Sequence, residues 1–280
     1  MRAPAAPRRV VVTGLGVVSP AGTGLDPFWK GLQTEAEPAR ERRVLDFDPS
    51  PWLSGKQARH LDRFTHFAVA AASMALEDCG GVPEVDPTRV GVQLGTGIGG
   101  VGTLETQVGV LTVRGPGRVS PFTIPMVMPN AGAAAVSLRH GFRGPSETLT
   151  TACAAGTHSV AAGARMIADG RCDVVLAGGA ESSMTPTTVA GFTVMTALSK
   201  TGVSQPFDVA RHGFCIAEGA AVLVLEAREA ALARGARIYG EVLGAASTCD
   251  AHHMTAPSPG GSGAAACMRL ALDDAELSAA

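Results

Sequence analysis

The chain has 280 residues, of which 46% are hydrophobic and 17% are charged. This length and composition predict a globular protein with a substantial core, arranged as one large domain or two small ones. The formal net charge of -2 argues against a general nucleic-acid-binding protein, because neutralising phosphates requires a marked basic excess.

The six cysteines are scattered, without a C-x-x-C pair and without histidines at the spacing of a zinc site. They indicate reduced thiols. No signal-peptide-like apolar stretch follows the arginines and prolines of the N-terminus, and no apolar run is long enough to span a bilayer. We therefore expect a cytoplasmic protein that does not enter a membrane.

The first predicted strand runs from Arg9 to Val18 and carries Gly14 and Gly16. Two glycines at this spacing also begin a dinucleotide-binding motif. However, Ser19 stands where the third glycine is required, and Pro20 follows instead of a helix. We favour a buried strand whose glycines permit close packing.

A helix is predicted from Asp62 to Cys79, because apolar residues recur at helical spacing and a pair of glycines ends the pattern. A basic cluster stands around the start of this helix, in a chain that is otherwise slightly acidic: Lys56, Arg59, His60 and Arg63. Such clusters are usually solvated surface.

A glycine-rich loop from Gly95 to Gly100 follows the strand predicted at Arg89 to Leu94. Glycine-rich loops of this kind can bind phosphate through their backbone. Here no Lys-Ser or Lys-Thr pair closes the loop, as a P-loop would require. The sequence therefore gives little support to a nucleotide site.

Cys153 lies at the junction of a strand predicted from Ser146 to Thr151 and a helix predicted to continue through Asp169. At the first turn of a helix, unpaired N–H groups and the positive end of the macrodipole favour thiolate over thiol. The same N–H groups can hold an oxyanion beside the sulfur, as acyl transfer requires. Most cysteines in alanine-rich helices are small core residues, so the position at this elbow is what favours a nucleophile.

His158 follows Cys153 by five residues. At about 100° per residue this rotates its side chain some 140° away from the sulfur. We expect a packing or surface residue, not a general base.

The later segments alternate between strand and helix patterns. Cys172 to Ala177 is fully apolar, as in a strand covered on both faces, and Gly178 to Glu181 is predicted to turn away from it. Further strands are predicted at Ala220 to Leu225 and Ile238 to Leu243. This alternation predicts a layered α/β architecture.

Adjacent His252 and His253 invite a metal-binding interpretation. Neighbouring side chains in an extended segment point to opposite sides, and no Asp, Glu or His set at metal spacing accompanies them. We favour a loop near the mouth of the site and expect no metal.

Two stretches, Thr151 to Gly156 and Asp173 to Glu181, resemble the active-site region of β-ketoacyl-acyl-carrier-protein synthases, most closely the elongating synthases of dissociated bacterial systems. The other matching stretches occur in the family's order along the chain: Val11 to Gly16, Gly95 to Gly100, Gln205 to Asp208, Gly213 to Phe214, and Ala251 to Thr255. The resemblance implies a thiolase-like layered αβαβα fold. Residues 1–240 would form its N-terminal half, and residues 241–280 would begin the C-terminal half.

By this resemblance Cys153 takes an acyl group from acyl carrier protein, and the acyl-enzyme undergoes decarboxylative Claisen condensation with malonyl-acyl carrier protein. The pathway would be fatty-acid or polyketide biosynthesis. The other implied site residues are Ile98 and Phe192 in the acyl pocket, Thr255 at the pantetheine arm, and Lys56, Arg59 and His60 at the carrier protein. For this last group, an ordinary solvated helix start is an equal alternative.

The resemblance implies no bound cofactor, because the substrates arrive on the phosphopantetheine of acyl carrier protein. It implies a homodimer, or a heterodimer with a related ketosynthase-like subunit. The family's decarboxylation motifs, Asn-Ala-His-Gly-Thr and Lys-Ser-x-x-Gly-His, do not occur in the sequence. We therefore expect that the chain lacks the family's C-terminal portion, with its two catalytic histidines and lysine.

Two alternatives remain open: a non-condensing partner that binds carrier protein, and a cysteine-dependent acyltransferase without condensation. The retained Cys153 argues against the first, because chain-length-setting partners typically lack the nucleophile.

Overall fold

The structure is a computed structural model that describes residues 7–279. The strands in this range are β1 (Val10–Ser19), β2 (Gly22–Thr23), β3 (Glu41–Arg42), β4 (Val90–Gly95), β5 (Ser146–Leu149), β6 (Val174–Glu181), β7 (Ile216–Ala217), β8 (Gly219–Ala227) and β9 (Gly240–Val242). The helices are α1 (Leu25–Leu32), α2 (Gly55–Ala58), α3 (Arg63–Asp78), α4 (Val101–Arg114), α5 (Thr123–Val127), α6 (Ala131–His140), α7 (Ala155–Ala168), α8 (Pro186–Val194), α9 (Arg228–Ala233) and α10 (Ser262–Asp274).

A mixed sheet in the order β2-β1-β8-β6-β4-β5 forms the centre of the fold, with β9 also paired to β1. β4 is parallel to both β5 and β6, whereas β8 is antiparallel to β6 and β1. The carboxyl ends of parallel strands meet at one edge of a sheet, where α/β proteins bind their ligands. The segments that follow β4, β5 and β6 are the glycine-rich loop, the Cys153 elbow and the residues after Glu181.

Helices cover both faces of this sheet, as the layered α/β prediction requires. On one face α3 and α6 enclose a core that includes the fully buried Phe64 and Phe67. On the other face α7 packs Ile167 against Val175 and Leu225. Burial of each large side chain contributes about 2 kcal/mol, so the two cores hold the sheet rigidly between the helices.

The predicted turn from Gly178 to Glu181 is wrong, because β6 continues through Glu181. Its glycines serve close packing. A Cβ on Gly178 would collide with the carbonyl oxygen of Ala221 on β8, and one on Gly179 would lie 3.1 Å from the Cα of Gly156. Glycine within a strand here marks the close approach of a neighbouring strand and of a helix.

The first strand has the predicted character of a buried element. β1 pairs with β8 along most of its length, and a Cβ on Gly14 or Gly16 would collide with carbonyl oxygens of α3. The two glycines therefore let the helix pack directly on the strand, in agreement with the interpretation favoured from the sequence.

Asp173 precedes β6 and anchors the start of that strand. Its carboxylate accepts hydrogen bonds from Arg8 Nη1 at 2.7 Å and from Arg89 Nε and Nη2 at 2.9 and 2.8 Å. The two bonds from Arg89, with the one from Arg8, lower the pKa of Asp173 to about 2. None of the helices in the described part of the chain combines the length and apolar character needed to cross a membrane.

Candidate active site

Cys153 lies at the elbow predicted from the sequence. β5 ends at Leu149, a short 3-10 helix spans Ala152–Ala154, and α7 begins at Ala155. The thiol is exposed. Ala152 has a φ of 49°, in the left-handed region that non-glycine residues rarely adopt. Such strained backbone is common at active-site turns, where it aims a side chain out of the chain path.

Close contacts at glycine residues hold the first turn of α7 against the sheet. A Cβ on Gly95 would collide with the carbonyl group of Ala155, and the Cα of Gly156 lies against Gly179. Gly95 and Gly179 are also paired partners at the ends of β4 and β6. The helix that begins after Cys153 therefore rests directly on the carboxyl ends of two parallel strands.

Glu181, which the sequence analysis did not select, holds the glycine-rich loop. Its Oε2 accepts hydrogen bonds from the backbone N–H groups of Gly97 and Ile98, at 2.8 and 2.9 Å, and from the hydroxyl of Thr96 at 3.1 Å. These N–H groups are consequently occupied, which disfavours an anion site in the loop. An acidic residue at the end of an apolar strand is the signal that could have revealed this contact.

The loop lies beside the elbow. A Cβ on Gly97 would be 3.9 Å from the Cα of Ala152, the residue before Cys153. The side chain of Ile98 in the same loop is 46% exposed. The structure thus places the segment of Ile98 beside the segment of Cys153.

The ring of His158 forms a hydrogen bond with a residue of the elbow. Its Nδ1 lies 2.8 Å from the hydroxyl oxygen of Thr151, and the residue is half-buried. This contact joins the second turn of α7 to the residue that precedes the 3-10 helix.

Phe192 lies on α8, where its ring meets Phe214 edge-on, with centroids 5.4 Å apart and an interplanar angle of 85°. It packs beside a small buried cluster of Met184, Leu198 and Ile216. This cluster is separate from the two large cores, so Phe192 is anchored in a local apolar unit on the α8 side of the fold.

The basic cluster divides into two parts. Lys56 and Arg59 are exposed, and within residues 7–279 neither forms an ion pair. The ring of His60 stacks on Phe122, with centroids 3.7 Å apart. Arg63 instead turns inward and forms an ion pair, so it does not contribute a free charge to this surface.

The partner of Arg63 is Glu218, whose carboxylate is buried. Burial raises the pKa of Glu218, but hydrogen bonds from Arg63, from Ser182 and from the N–H of Val44 outweigh it and lower the pKa below its usual value. A cavity of about 360 Å³ opens beside this pair and beside Asp62. The carboxylate of Asp62, like that of Glu218, already accepts several hydrogen bonds: the N–H and the hydroxyl of Thr103 donate to it at 2.9 and 2.6 Å.

Thr255 is exposed in a loop before α10. Its backbone N–H and that of Ala256 each donate to Nδ1 of His253, at 3.1 Å. His253 therefore caps the turn that carries Thr255. Among the described residues, no group of three or more His, Cys, Asp or Glu side chains is arranged to hold a metal ion.

Comparisons with known proteins give a consistent family. Residues 33–231 match the beta-ketoacyl synthase N-terminal domain, and residues 239–280 match the beta-ketoacyl synthase C-terminal domain. The 3-oxoacyl-[acyl-carrier-protein] synthase 2 of Synechocystis sp. is 41% identical over 96% of this chain and 70% of its own length. That of Vibrio cholerae is 42% identical with the same coverage of both chains.

Solved structures agree with these matches. A ketosynthase/chain length factor for ishigamide superposes with a TM-score of 0.88 and 35% identity, over 98% of this chain and 71% of the other. A type II polyketide synthase ketosynthase, solved in complex with its acyl carrier protein, gives a TM-score of 0.85 and 31% identity over 97% and 71% of the two chains. The fold is therefore the thiolase-like fold of ketosynthases.

The fold and these relatives identify the chain as a condensing enzyme of the acyltransferase class. The chain belongs to the β-ketoacyl synthase family.

Proposed function

We propose that Cys153 accepts an acyl group from the phosphopantetheine of acyl carrier protein and that the acyl-enzyme then condenses with a malonyl thioester. The observation that carries this proposal is the exposed thiol at the strained turn before α7, opposite a loop held in place by Glu181. In a β-ketoacyl synthase, such a thiol at a helix start is suited to nucleophilic attack on a thioester.

In the first step the sulfur of Cys153 attacks the thioester carbonyl carbon. The bond between that carbon and the pantetheine sulfur breaks, and the thiol proton leaves with the released pantetheine. N–H groups at the helix start stabilise the charge that develops on the carbonyl oxygen. In the second step the malonyl thioester loses carbon dioxide, its α-carbon attacks the acyl carbonyl, and the Cys153 thiolate is the leaving group.

The acyl chain would extend from Cys153 past Ile98, with Phe192 shaping the pocket farther along. The exposed side chain of Ile98, in the loop beside the elbow, supports this assignment. The packing of Phe192 against Phe214 would give that side of the pocket a fixed aromatic wall.

Carrier protein would dock on the surface of Lys56, Arg59 and His60, and Thr255 would bind the pantetheine arm. The two exposed cations have no partners among the described residues, which suits an acidic partner, because complementary charges steer association. The ketosynthase in one structural neighbour is in complex with its acyl carrier protein. We propose no resident cofactor, since the reactive groups arrive on this partner.

A second ketosynthase-like subunit, in a homodimer or heterodimer, would cover the β5 edge of the sheet. Among the strands of residues 7–279, only β4 pairs with β5, so the other side of β5 is an open edge. α6 packs beside this edge and carries the exposed Leu138, and α4 carries further exposed apolar side chains: Leu104, Val108 and Leu111. An apolar surface beside an unpaired edge strand favours association.

The division of the chain into residues 1–240 and 241–280 is also a proposal, supported by family matches that change between residues 231 and 239. The cytoplasmic location remains a prediction. The exposed thiol of Cys153 at the start of α7 supports the acyl-transfer step most directly.

The test is the intact mass of the protein after incubation with acyl-loaded carrier protein. The parent protein and a Cys249→Ala variant, which removes another exposed thiol, should both gain one acyl group. Cys153→Ala should gain none. Persistence of the modification in Cys153→Ala would overturn the assignment of the nucleophile.

A further inference from the structure

We propose that Glu181 is a positioning residue that sets acyl-chain-length selectivity by fixing Ile98 opposite Cys153. This inference rests on the proposed function. Glu181 contributes no reacting atom. It acts through the backbone of the glycine-rich loop.

Both oxygens of the Glu181 carboxylate are engaged. Oε2 receives the N–H groups of Gly97 and Ile98, and Oε1 receives the N–H of Ser182 at 3.0 Å. Hydrogen bonds to an ionised carboxylate are about twice as strong as neutral ones. Because Ser182 fixes one oxygen and the loop binds the other, the carboxylate ties the loop to the end of β6.

Thr96 extends this contact along the loop. Its hydroxyl donates to Oε2 of Glu181 and accepts a hydrogen bond from the N–H of Gly99 at 3.2 Å. Gly99 has a φ of +84°, a conformation that glycine adopts readily and other residues do not. One carboxylate therefore determines the path of the loop from Thr96 to Gly99.

Ile98 is the only residue with a large side chain between Gly95 and Gly100. The bond to Glu181 is made by its own backbone N–H, so the carboxylate controls the position of this side chain directly. A glycine-rich backbone has little stiffness of its own. Without Glu181 the direction of Ile98 would no longer be fixed.

The experiment measures acylation of the protein by carrier proteins loaded with short, medium and long saturated chains, for the parent, Glu181→Gln and Glu181→Ala. An amide offers one acceptor oxygen where the loop and Ser182 use two, so Glu181→Gln should weaken the attachment with little change in shape. The ratio of the second-order acylation rate constants for short and long chains should change roughly tenfold, as expected when one pocket side chain moves.

Asp173→Asn is the matched control, because it removes a carboxylate clamp at the opposite end of the same strand. It should lower stability and leave the chain-length ratio unchanged. Hydrogen exchange gives a second readout, since the amides of Gly97 and Ile98 should exchange faster in Glu181→Gln than in the parent or in Asp173→Asn.

The two failures are distinguishable. A parent protein that is not acylated at all would overturn the proposed function, and this inference with it. An acylated parent whose chain-length ratio and loop exchange are both unchanged in folded Glu181→Gln would overturn only the role of Glu181.

Discussion

Arg63 and Glu218, 155 residues apart in the chain, form a two-point ion pair in which Nε and Nη2 donate to the two carboxylate oxygens at 2.9 and 2.8 Å. The pair joins the first residue of α3 to the segment between β7 and β8. Only Glu218 is fully buried, since the Arg63 side chain is 41% exposed.

Replacing Arg63 by Met should destabilise the fold by about 3 kcal/mol, because it leaves the buried carboxylate of Glu218 without its cation. Urea unfolding near neutral pH measures this. Arg59→Met is the control, since Arg59 is exposed, and its effect should stay within about 0.5 kcal/mol. Equal effects of the two variants would show that the ion pair does not stabilise the fold.

We expect protonation of Asp173 to lower the stability of the fold in acid. Its pKa is about 2 in the folded chain, below the ordinary value, because Arg89 and Arg8 bind the carboxylate. The stabilisation is therefore complete above about pH 4 and is lost as the pH falls through 2. After allowance for solvent screening it amounts to about 1–2 kcal/mol. The difference in unfolding free energy between the parent and Asp173→Asn should shrink over this range, and a constant difference would contradict it.

Titration of His140 should change the free energy of unfolding over a higher pH range than that of Asp173. Burial, with a smaller effect of Arg139, lowers its pKa to about 4. The unfolded chain takes up this proton near pH 6.5, whereas the folded chain does not, so acidification from 6.5 towards 4 favours unfolding. His140→Gln should flatten the pH dependence of the unfolding free energy in this range by about 1–2 kcal/mol. An unchanged profile would mean that this histidine titrates normally in the folded chain.

Charge reversal on the proposed docking surface should weaken carrier-protein binding. Lys56→Glu and Arg59→Glu should each raise the Kd roughly tenfold at low salt, with a smaller effect at high salt, because the charges act through screened attraction. Lys30→Glu, at an exposed position on α1, is the matched control. Surface plasmon resonance with immobilised carrier protein would measure the Kd of each variant. If the two substitutions changed the Kd no more than Lys30→Glu does, the carrier protein would bind at another surface.

Local sequence patterns predicted the elements that position Cys153. The junction at Cys153 and the helical spacing of α3 could be recognised because each depends on residues close together in the chain. In the structure β5 ends two residues earlier than expected, but the elbow lies where the pattern placed it.

Contacts between distant segments were the ones that the sequence did not reveal. Arg63 was grouped with a surface cluster because its partner Glu218 lies far along the chain. Likewise Gly178 and Gly179 resemble a turn until their neighbours on β8 and α7 are known, and the attachment of Ile98 to Glu181 spans 83 residues. Local periodicity contains no information on such pairs.

The register of the central strands sets the relative positions of the groups that the proposed chemistry needs. Gly95 is aligned with Leu149 on one side and with Gly179 on the other, so the loop of Ile98, the elbow of Cys153 and the anchor at Glu181 start from one common level. A slip of a single residue in either ladder would shift one of them by about 3.3 Å. Such a shift is about as long as a hydrogen bond. The backbone register therefore determines how precisely the acyl chain is positioned relative to the sulfur of Cys153.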